Sequence, residues 1–272
     1  MIFTKLRNKE IFSIKEGEKI STTIVSPIFN ESRRFNSQHW SNILENNSSV
    51  NFLFVDDAST DNLDYISSLE KKYKNVYYLR LTKNLGKANA IRQGLLYATN
   101  NTQLNSNILG YLDFDDSISA SEVQRIISLF GDTIKNFHFV DSLWASRVKL
   151  NGRYITRSNL RHFFSRILVT LIGLNYPSLP YDSQCGFKLF LNDGRFRQSI
   201  QSRFLTKWFI DLEILIRLTQ IGGKKINIWE EPLMSWRETK SSNYNFVSSF
   251  RIAREVIYIC KEIRKIRKYL VR

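Results

Sequence analysis

Cysteine and proline are scarce in this chain, at 2 and 4 of its 272 residues. Cys185 and Cys260 stand far apart with no Cys or His at ligand spacing. This excludes a disulfide scaffold and a structural zinc site, and it fits a reducing compartment, so both thiols read as inert and buried. The 3 histidines, His39, His138 and His162, also lack metal spacing and take no role. With only 11 glycines the chain is neither collagen-like nor low-complexity. No stretch reaches the roughly 20 apolar residues of a membrane span. The opening MIFTKLRNKEIFSIKEGEKI breaks its short apolar pieces with charge, so it reads as neither span nor signal peptide. A cytosolic protein is expected.

What is present is an ordinary globular composition, 43% hydrophobic and 13% aromatic, with 40 basic against 25 acidic side chains, a net charge of +15. Residues 1–136 hold 16 basic and 15 acidic groups, while residues 137–272 hold 24 and 10, net +14. The second half therefore faces something anionic: nucleic acid, an acidic membrane surface or a phosphorylated substrate.

Short β-rich runs at Thr22–Ser26, Asn51–Val55, Val76–Leu81 and Ile108–Leu112 alternate with helix-like stretches at 33–46, 62–73 and 86–99. That alternation predicts an α/β fold with a Rossmann-like, mostly parallel central sheet and helices on both faces. A helix is expected over 119–130, then a strand-like run Phe137–Val148, a basic apolar stretch Arg157–Asn175, turns at Pro177–Gly186 and a helix at 211–221. No linker or repeat divides the chain, so one continuous domain over 1–272 is expected.

Ligands of such sheets bind beyond the carboxyl ends of the strands. Those ends are acidic: Pro27…Asn30-Glu31, then Asp56-Asp57-Ala58-Ser59-Thr60-Asp61, then Asp113-Phe114-Asp115-Asp116-Ser117. Crowded carboxylates repel and raise one another's pKa unless a cation sits between them. Asp113 and Asp115, two apart on extended backbone, point the same way and could share magnesium or manganese, which would bridge to a diphosphate. Taken alone, Asp115 to Ser117 would equally serve as a turn and cap for the helix that follows.

These loops, with Asn84-Leu85-Gly86-Lys87-Ala88, resemble the nucleotide-sugar half of the inverting family 2 glycosyltransferases, which have a GT-A fold. Ala145-Ser146-Arg147, Asp182-Ser183-Gln184-Cys185-Gly186-Phe187-Lys188-Leu189-Phe190, Trp208 to Glu213 and Glu230-Glu231-Pro232…Trp236 are similar to the polyprenyl (dolichyl) phosphate sugar synthase branch. The resemblance covers about residues 20–260 and divides the chain into a nucleotide-sugar half (20–136), an acceptor half (137–245) and a C-terminal helix (246–272). Two positions depart from the branch: Ser117 stands where it usually has Gln, and Lys240-Ser241-Ser242 where it usually has Gly-Ser-Lys. Both departures concern the acceptor more than the donor. The resemblance implies that Pro27, Asn30, Glu31 and Asp57 hold the base and ribose, and that Asp113 and Asp115 hold the ribose, diphosphate and metal. Lys87 falls in the same donor half.

An acceptor phosphate is already an anion and needs guanidinium forks more than a base. Arg147, Arg157 and Arg161 are the candidates, with Lys188 beside them. A sugar hydroxyl acceptor, as in surface polysaccharide assembly, would instead require a carboxylate base at Asp211 or Glu213, although Asp211 could simply cap its helix. Residues 246–270 carry Ile252, Val256, Ile259, Ile263, Ile266 and Leu270 on one helical stripe, and 251–272 carries 8 basic against 2 acidic groups, net +6. Such a helix suits an anionic membrane surface, docking on the domain, or a seam with a second copy. The expected protein is therefore a metal-dependent enzyme, peripheral at the inner face of a membrane, joining a nucleotide sugar to a lipid phosphate. A non-catalytic module that binds nucleic acid would leave the acidic rim unexplained, because carboxylates repel phosphate.

Overall fold

The computed structural model describes residues 19–136, 139–157, 166, 169–174, 176, 179–239 and 246–270, the last segment from 251 onward with side chains. Arg161, His138, His162 and most of the stretch 157–175 lie outside them. The central sheet has seven strands: β1 (Thr22–Ile28), β2 (Val50–Asp56), β3 (Val76–Arg80), β4 (Ile108–Leu112), β5 (Ser142–Ser146), β7 (Phe187–Leu191) and β8 (Ile228–Pro232). Their order is β3-β2-β1-β4-β7-β5-β8. Only β7 runs against its neighbours, pairing antiparallel with β4 and β5, so the sheet is mostly parallel as expected. β6 (Tyr154–Thr156) and β9 (Ser235–Arg237) pair separately, parallel to each other.

Because side chains alternate along a strand, each buried strand feeds two cores. Ile24, Phe52 and Phe54 face one side, packing with Trp40, Ile43 and Leu44 of α1 (Ser37–Asn46), Ile66 and Leu69 of α2 (Asp64–Lys72) and Val123 to Ile134 of α4 (Ala120–Asn136). Val25, Leu53 and Val55 face the other, against α3 (Lys87–Asn100), α5 (Gly194–Ser199), α6 (Ile210–Gly222) and α7 (Phe246–Leu270). Helices thus cover both faces.

Three boundaries differ from the sequence expectation by more than two residues. The first helix starts at Ser37 because Asn36 caps it, its Oδ1 accepting from the amide of His39 at 3.1 Å. The helix expected to end at 130 runs on to Asn136, since Thr133 and Ile134 continue its buried face, and the following strand begins at Ser142 rather than 137. The C-terminal stripe is core: Ile259, Ile263 and Ile266 are fully buried, and Ile252, Val256 and Leu270 pack partly buried beside them. Glu255, also buried, accepts from the amides of Lys207 and Trp208 at 3.0 Å each and fastens the helix to the loop before α6. The stripe is therefore withdrawn from any lipid contact, and the basic face of α7 is what it leaves outside.

Candidate active site

Three strand-end loops meet along one rim. Each contains one non-glycine residue with left-handed backbone, Asn30 (φ 55°) after β1, Ala58 (φ 60°) after β2 and Asp116 (φ 56°) after β4, and these are all such residues among those described. Asn and Asp tolerate this region; for Ala it costs about 1–2 kcal/mol. Strain of that kind persists where surrounding bonds over-determine it. Here Asn30 donates its amide to Ser59 Oγ at 3.0 Å and accepts from the Thr60 amide at 2.9 Å, and the amide of Ser59 reaches Asp56 Oδ1 at 2.8 Å. Ser32 in turn donates its amide to Asp61 at 2.7 Å. The first two loops are thus locked to each other.

Not all seven rim carboxylates face outward. Asp56 is fully buried, accepting from the Tyr78 hydroxyl at 3.0 Å with Arg80 at 3.4 Å. Asp57 spends both oxygens on the chain itself, accepting from the amides of Leu85 and Gly86 at 2.7 Å each. It is a buried clamp on the turn that opens α3, and burial pushes its carboxyl up. Glu31 is raised by burial too, against the pull of Arg34.

The turn held by Asp57 delivers Lys87, whose Nζ lies 2.6 Å from Asp113 Oδ2. Partial desolvation works against the ammonium, but Asp113, Asp115 and Asp211 together outweigh it and raise its pKa. Asp113 is seated by Gly186. Its amide donates to the Gly186 carbonyl at 2.9 Å, and a Cβ on Gly186 would fall 2.2 Å from the Asp113 carboxyl carbon. The other oxygen, Asp113 Oδ1, is buried and without a hydrogen-bond partner. Asp115 accepts from the Ser117 amide at 3.2 Å and from Thr239 Oγ1 at 3.2 Å. His39, assigned nothing from sequence, stands 3.8 Å from Asp116 Oδ1; burial lowers its pKa against the pull of Asp116 and Asp115. Its place is fixed by the Asn36 cap, which no motif reports.

On the other side of Gly186, Arg147 grips Asp182 through two parallel bonds, Nε to Oδ2 at 2.7 Å and a terminal nitrogen to Oδ1 at 2.8 Å. Burial would push Asp182 up, yet the Arg147 guanidinium holds it well below the usual carboxylate range. Glu230 orients that carboxylate, accepting from the amides of Tyr181 and Asp182 at 2.7 Å each. Arg157 is near enough to be pulled down by burial and by the charge of Arg147. Two guanidiniums therefore share a small region.

Lys188 is placed differently from the sequence expectation. It is 0% exposed, donates to the Cys185 carbonyl, and lies 3.5 Å from Asp211 Oδ1 with the Trp144 ring 4.9 Å away. A side chain so enclosed cannot touch an acceptor. Burial pushes its amine down to about 8 and pushes the Asp211 carboxyl well above its ordinary range. Asp211 does not cap α6, whose N-cap is Phe209 with no side-chain bond. Glu213 is not an available base, because its carboxylate accepts from the amides of Leu205 and Thr206, from Thr206 Oγ1 and from Arg217.

Comparison with known proteins bears on the family and the fold. The family model described as Glycosyl transferase family 2 matches residues 23–174, more than half of the chain. A Saccharomyces cerevisiae protein named dolichyl-phosphate beta-glucosyltransferase is 26% identical over 264 residues, covering 90% of this chain and 75% of its own length. The dolichyl-phosphate beta-glucosyltransferase ALG5A of Trichomonas vaginalis is 27% identical over 209 residues, and the match takes in 76% of this chain but only 60% of that relative. Among solved structures, the glucosyl-3-phosphoglycerate synthase of Mycobacterium tuberculosis, held with Mn2+, UDP and phosphoglyceric acid, superposes with a TM-score of 0.60 at 14% identity over 90% of this chain and 78% of that one. The mannosyltransferase PcManGT of Pyrobaculum calidifontis, held with GDP-Man and Mn2+, gives 0.58 at 15% identity over 89% and 64%. Likeness at such identities establishes the GT-A-like α/β fold. The family model, matching more than half of the chain, places it in glycosyl transferase family 2.

Proposed function

We propose that the protein is an inverting glycosyltransferase that moves a sugar from a UDP- or GDP-sugar to a polyprenyl phosphate at an anionic membrane surface. The observation that carries this reading is Asp113, held between Lys87 and Gly186 with one buried oxygen unspent. It joins the acidic rim to the Asp182–Phe190 block, the most specific part of the resemblance. The relatives' names supply the acceptor class, dolichyl phosphate. The two solved neighbours hold different nucleotides, so both bases belong in the test.

Magnesium or manganese fits the donor set. Asp113 and Asp115 offer hard carboxylate oxygens, and Asp113 Oδ1 lacks any other partner. No group of three or more His, Cys, Asp or Glu gathers around a candidate ion among the described residues, so the donor's own phosphates would complete the shell. Bound there, the ion would neutralise charge on the departing diphosphate. Pro27, Asn30 and Glu31 line the wall for base and ribose, with Asp57 acting through the turn it clamps. Lys87 adds a fixed positive charge beside Asp113. The acceptor phosphate attacks as an anion, so no residue need remove a proton, and Arg147 and Arg157, with Arg161 outside the described residues, orient it. Because Glu213 is fully engaged, the hydroxyl-acceptor alternative is left with Asp211 as its base, a buried carboxylate 3.5 Å from the Lys188 amine.

The decisive experiment offers radiolabelled UDP- and GDP-sugars with polyprenyl phosphate, with and without manganese, and looks for labelled lipid. Label appearing in lipid with one nucleotide supports the reading. No transfer to lipid, with transfer to a polysaccharide hydroxyl instead, overturns the acceptor. A nucleotide at one hundred times its dissociation constant should also add about 2.7 kcal/mol of stability.

A further inference from the structure

The loop between α5 and α6 exposes apolar side chains while being held rigid from beneath. Five consecutive backbone amides, of residues 204 to 208, are spent on side chains of other elements: Phe204 on Asn89 at 3.1 Å, Leu205 and Thr206 on Glu213, Lys207 and Trp208 on Glu255. Arg217 accounts for the carbonyls of Ser202 and Arg203 at 2.6 and 2.7 Å. Phe204 and Thr206 point inward and are buried, whereas Arg203 and Lys207 are exposed, with Leu205 at 67% and Trp208 at 43%. A mobile loop could carry its exposed leucine out of water; the backbone of this one is pinned along its length.

The loop lies beside the site. Lys207 Cε is 3.9 Å from where a Cβ of Gly86 would stand, and Gly86 immediately precedes Lys87. No acidic residue occurs from Ser199 to Trp208; Glu213 and Glu255, which hold its amides, are buried and turned inward, and Asp57, near enough to feel the Lys207 charge, is buried and spent on the amides of Leu85 and Gly86. Exposed Arg251 and Arg254 of α7 flank Glu255 on its helix. Cations alternating with an exposed Leu and Trp match the polar and apolar layers of a bilayer interface, and the positive charge selects an anionic one.

We propose that residues 203–208 form the surface that docks the protein on an anionic bilayer, with Leu205 and Trp208 entering the headgroup region and Arg203 and Lys207 meeting lipid phosphates. This assigns the membrane contact to a loop next to the site, in place of the α7 stripe that the fold buries. It rests on the lipid-acceptor reading above, and the test keeps the two apart.

The full chain is sedimented with phosphatidylcholine vesicles with and without phosphatidylglycerol, alongside Leu205→Ser/Trp208→Ser and, in case that variant folds poorly, Arg203→Glu/Lys207→Glu. Binding that requires phosphatidylglycerol, falls with salt, and drops about tenfold or more in either variant is the expected result. A blue shift of emission on vesicle addition, present in the wild type and lost in Trp208→Phe, places that ring in the interface. Transfer to a short, water-soluble polyprenyl phosphate should be unchanged in these variants while transfer to vesicle-borne acceptor falls. Wild-type protein that ignores anionic vesicles, variants that bind as well as wild type, or variants whose only change is from dimer to monomer would each overturn the proposal; the last would mean that a second copy covers the loop. Loop-dependent vesicle binding without transfer to either acceptor would leave the docking surface standing and defeat the function proposed above.

Discussion

Replacing Gly186 with alanine tests the join between the two halves of the site at a single methyl group. That methyl would lie 2.2 Å from Cγ and from Oδ2 of Asp113 and 2.8 Å from Oδ1, separations that real atoms do not tolerate. The backbone cannot easily yield, because the Asp113 amide is bonded to the Gly186 carbonyl at 2.9 Å and β4 and β7 are paired through Leu112 and Phe187 alongside. The carboxylate must therefore rotate, and its 2.6 Å contact with Lys87 goes with it. Overpacking of this sort costs about 1–3 kcal/mol. The Lys87 bond adds little to stability, since that side chain is half exposed and the pair is screened. For a chain of this size, about 1 kcal/mol corresponds to a shift of about 2–4 °C in Tm. The loss in turnover should be larger in proportion, because misplacing a ligand by about 1 Å can cost about a hundredfold in rate. Differential scanning fluorimetry, nucleotide titration in manganese and lipid-transfer rates would be measured together. Gly173→Ala is the control, since a Cβ there meets nothing within 4 Å. A Gly186→Ala protein with wild-type nucleotide affinity and transfer would refute the claim that this glycine seats Asp113.

Other expectations follow from the same geometry. Asp115→Ala should abolish transfer while circular dichroism and Tm stay close to wild type; near wild-type turnover in manganese would remove Asp115 from the site. Arg147→Lys gives up a bidentate grip worth about 1.5–3 kcal/mol, so Tm should fall and the acceptor KM rise with the donor Kd unchanged, and an equal loss of donor affinity would move Arg147 to the diphosphate. Lys188 has its amine pushed below the unfolded value, to about 8, so the unfolded chain binds more protons between about 8 and the unfolded value of about 10.4, and stability gained from this group rises with pH across that window. The Tm of wild type relative to Lys188→Met should climb between those limits, and a flat difference would show the amine to be ordinary. Ile263→Ala should destabilise by about 2–5 kcal/mol in the absence of any lipid, as a core position does; a neutral effect would return the α7 stripe to the membrane.

What was legible in the sequence follows the physics of each signal. The first four strands and their helices were readable because buried parallel strands are short apolar runs punctuated by polar loops, and the sheet places those loops on one rim. Which carboxylates face outward was not readable. Asp56 and Asp57 are neighbours with the same chemistry, yet one is sealed beneath Tyr78 and the other is spent on the amides of Leu85 and Gly86, partners about twenty to thirty residues away that only the folded sheet brings close. Lys188 misled for the opposite reason. A lysine in a basic half reads as a surface cation, but its register on β7 turns it inward onto the Cys185 carbonyl and Asp211. The C-terminal helix was ambiguous in principle, because an apolar stripe beside a basic face satisfies a protein core and a lipid surface equally well. Glu255 settles it. An acidic side chain buried among those cations has no use at an anionic bilayer, but it satisfies two amides of the Lys207–Trp208 turn. Of the two acidic residues that interrupt the basic pattern, Glu255 was the mark of docking on the protein, and it carried the information that the regular stripe lacked.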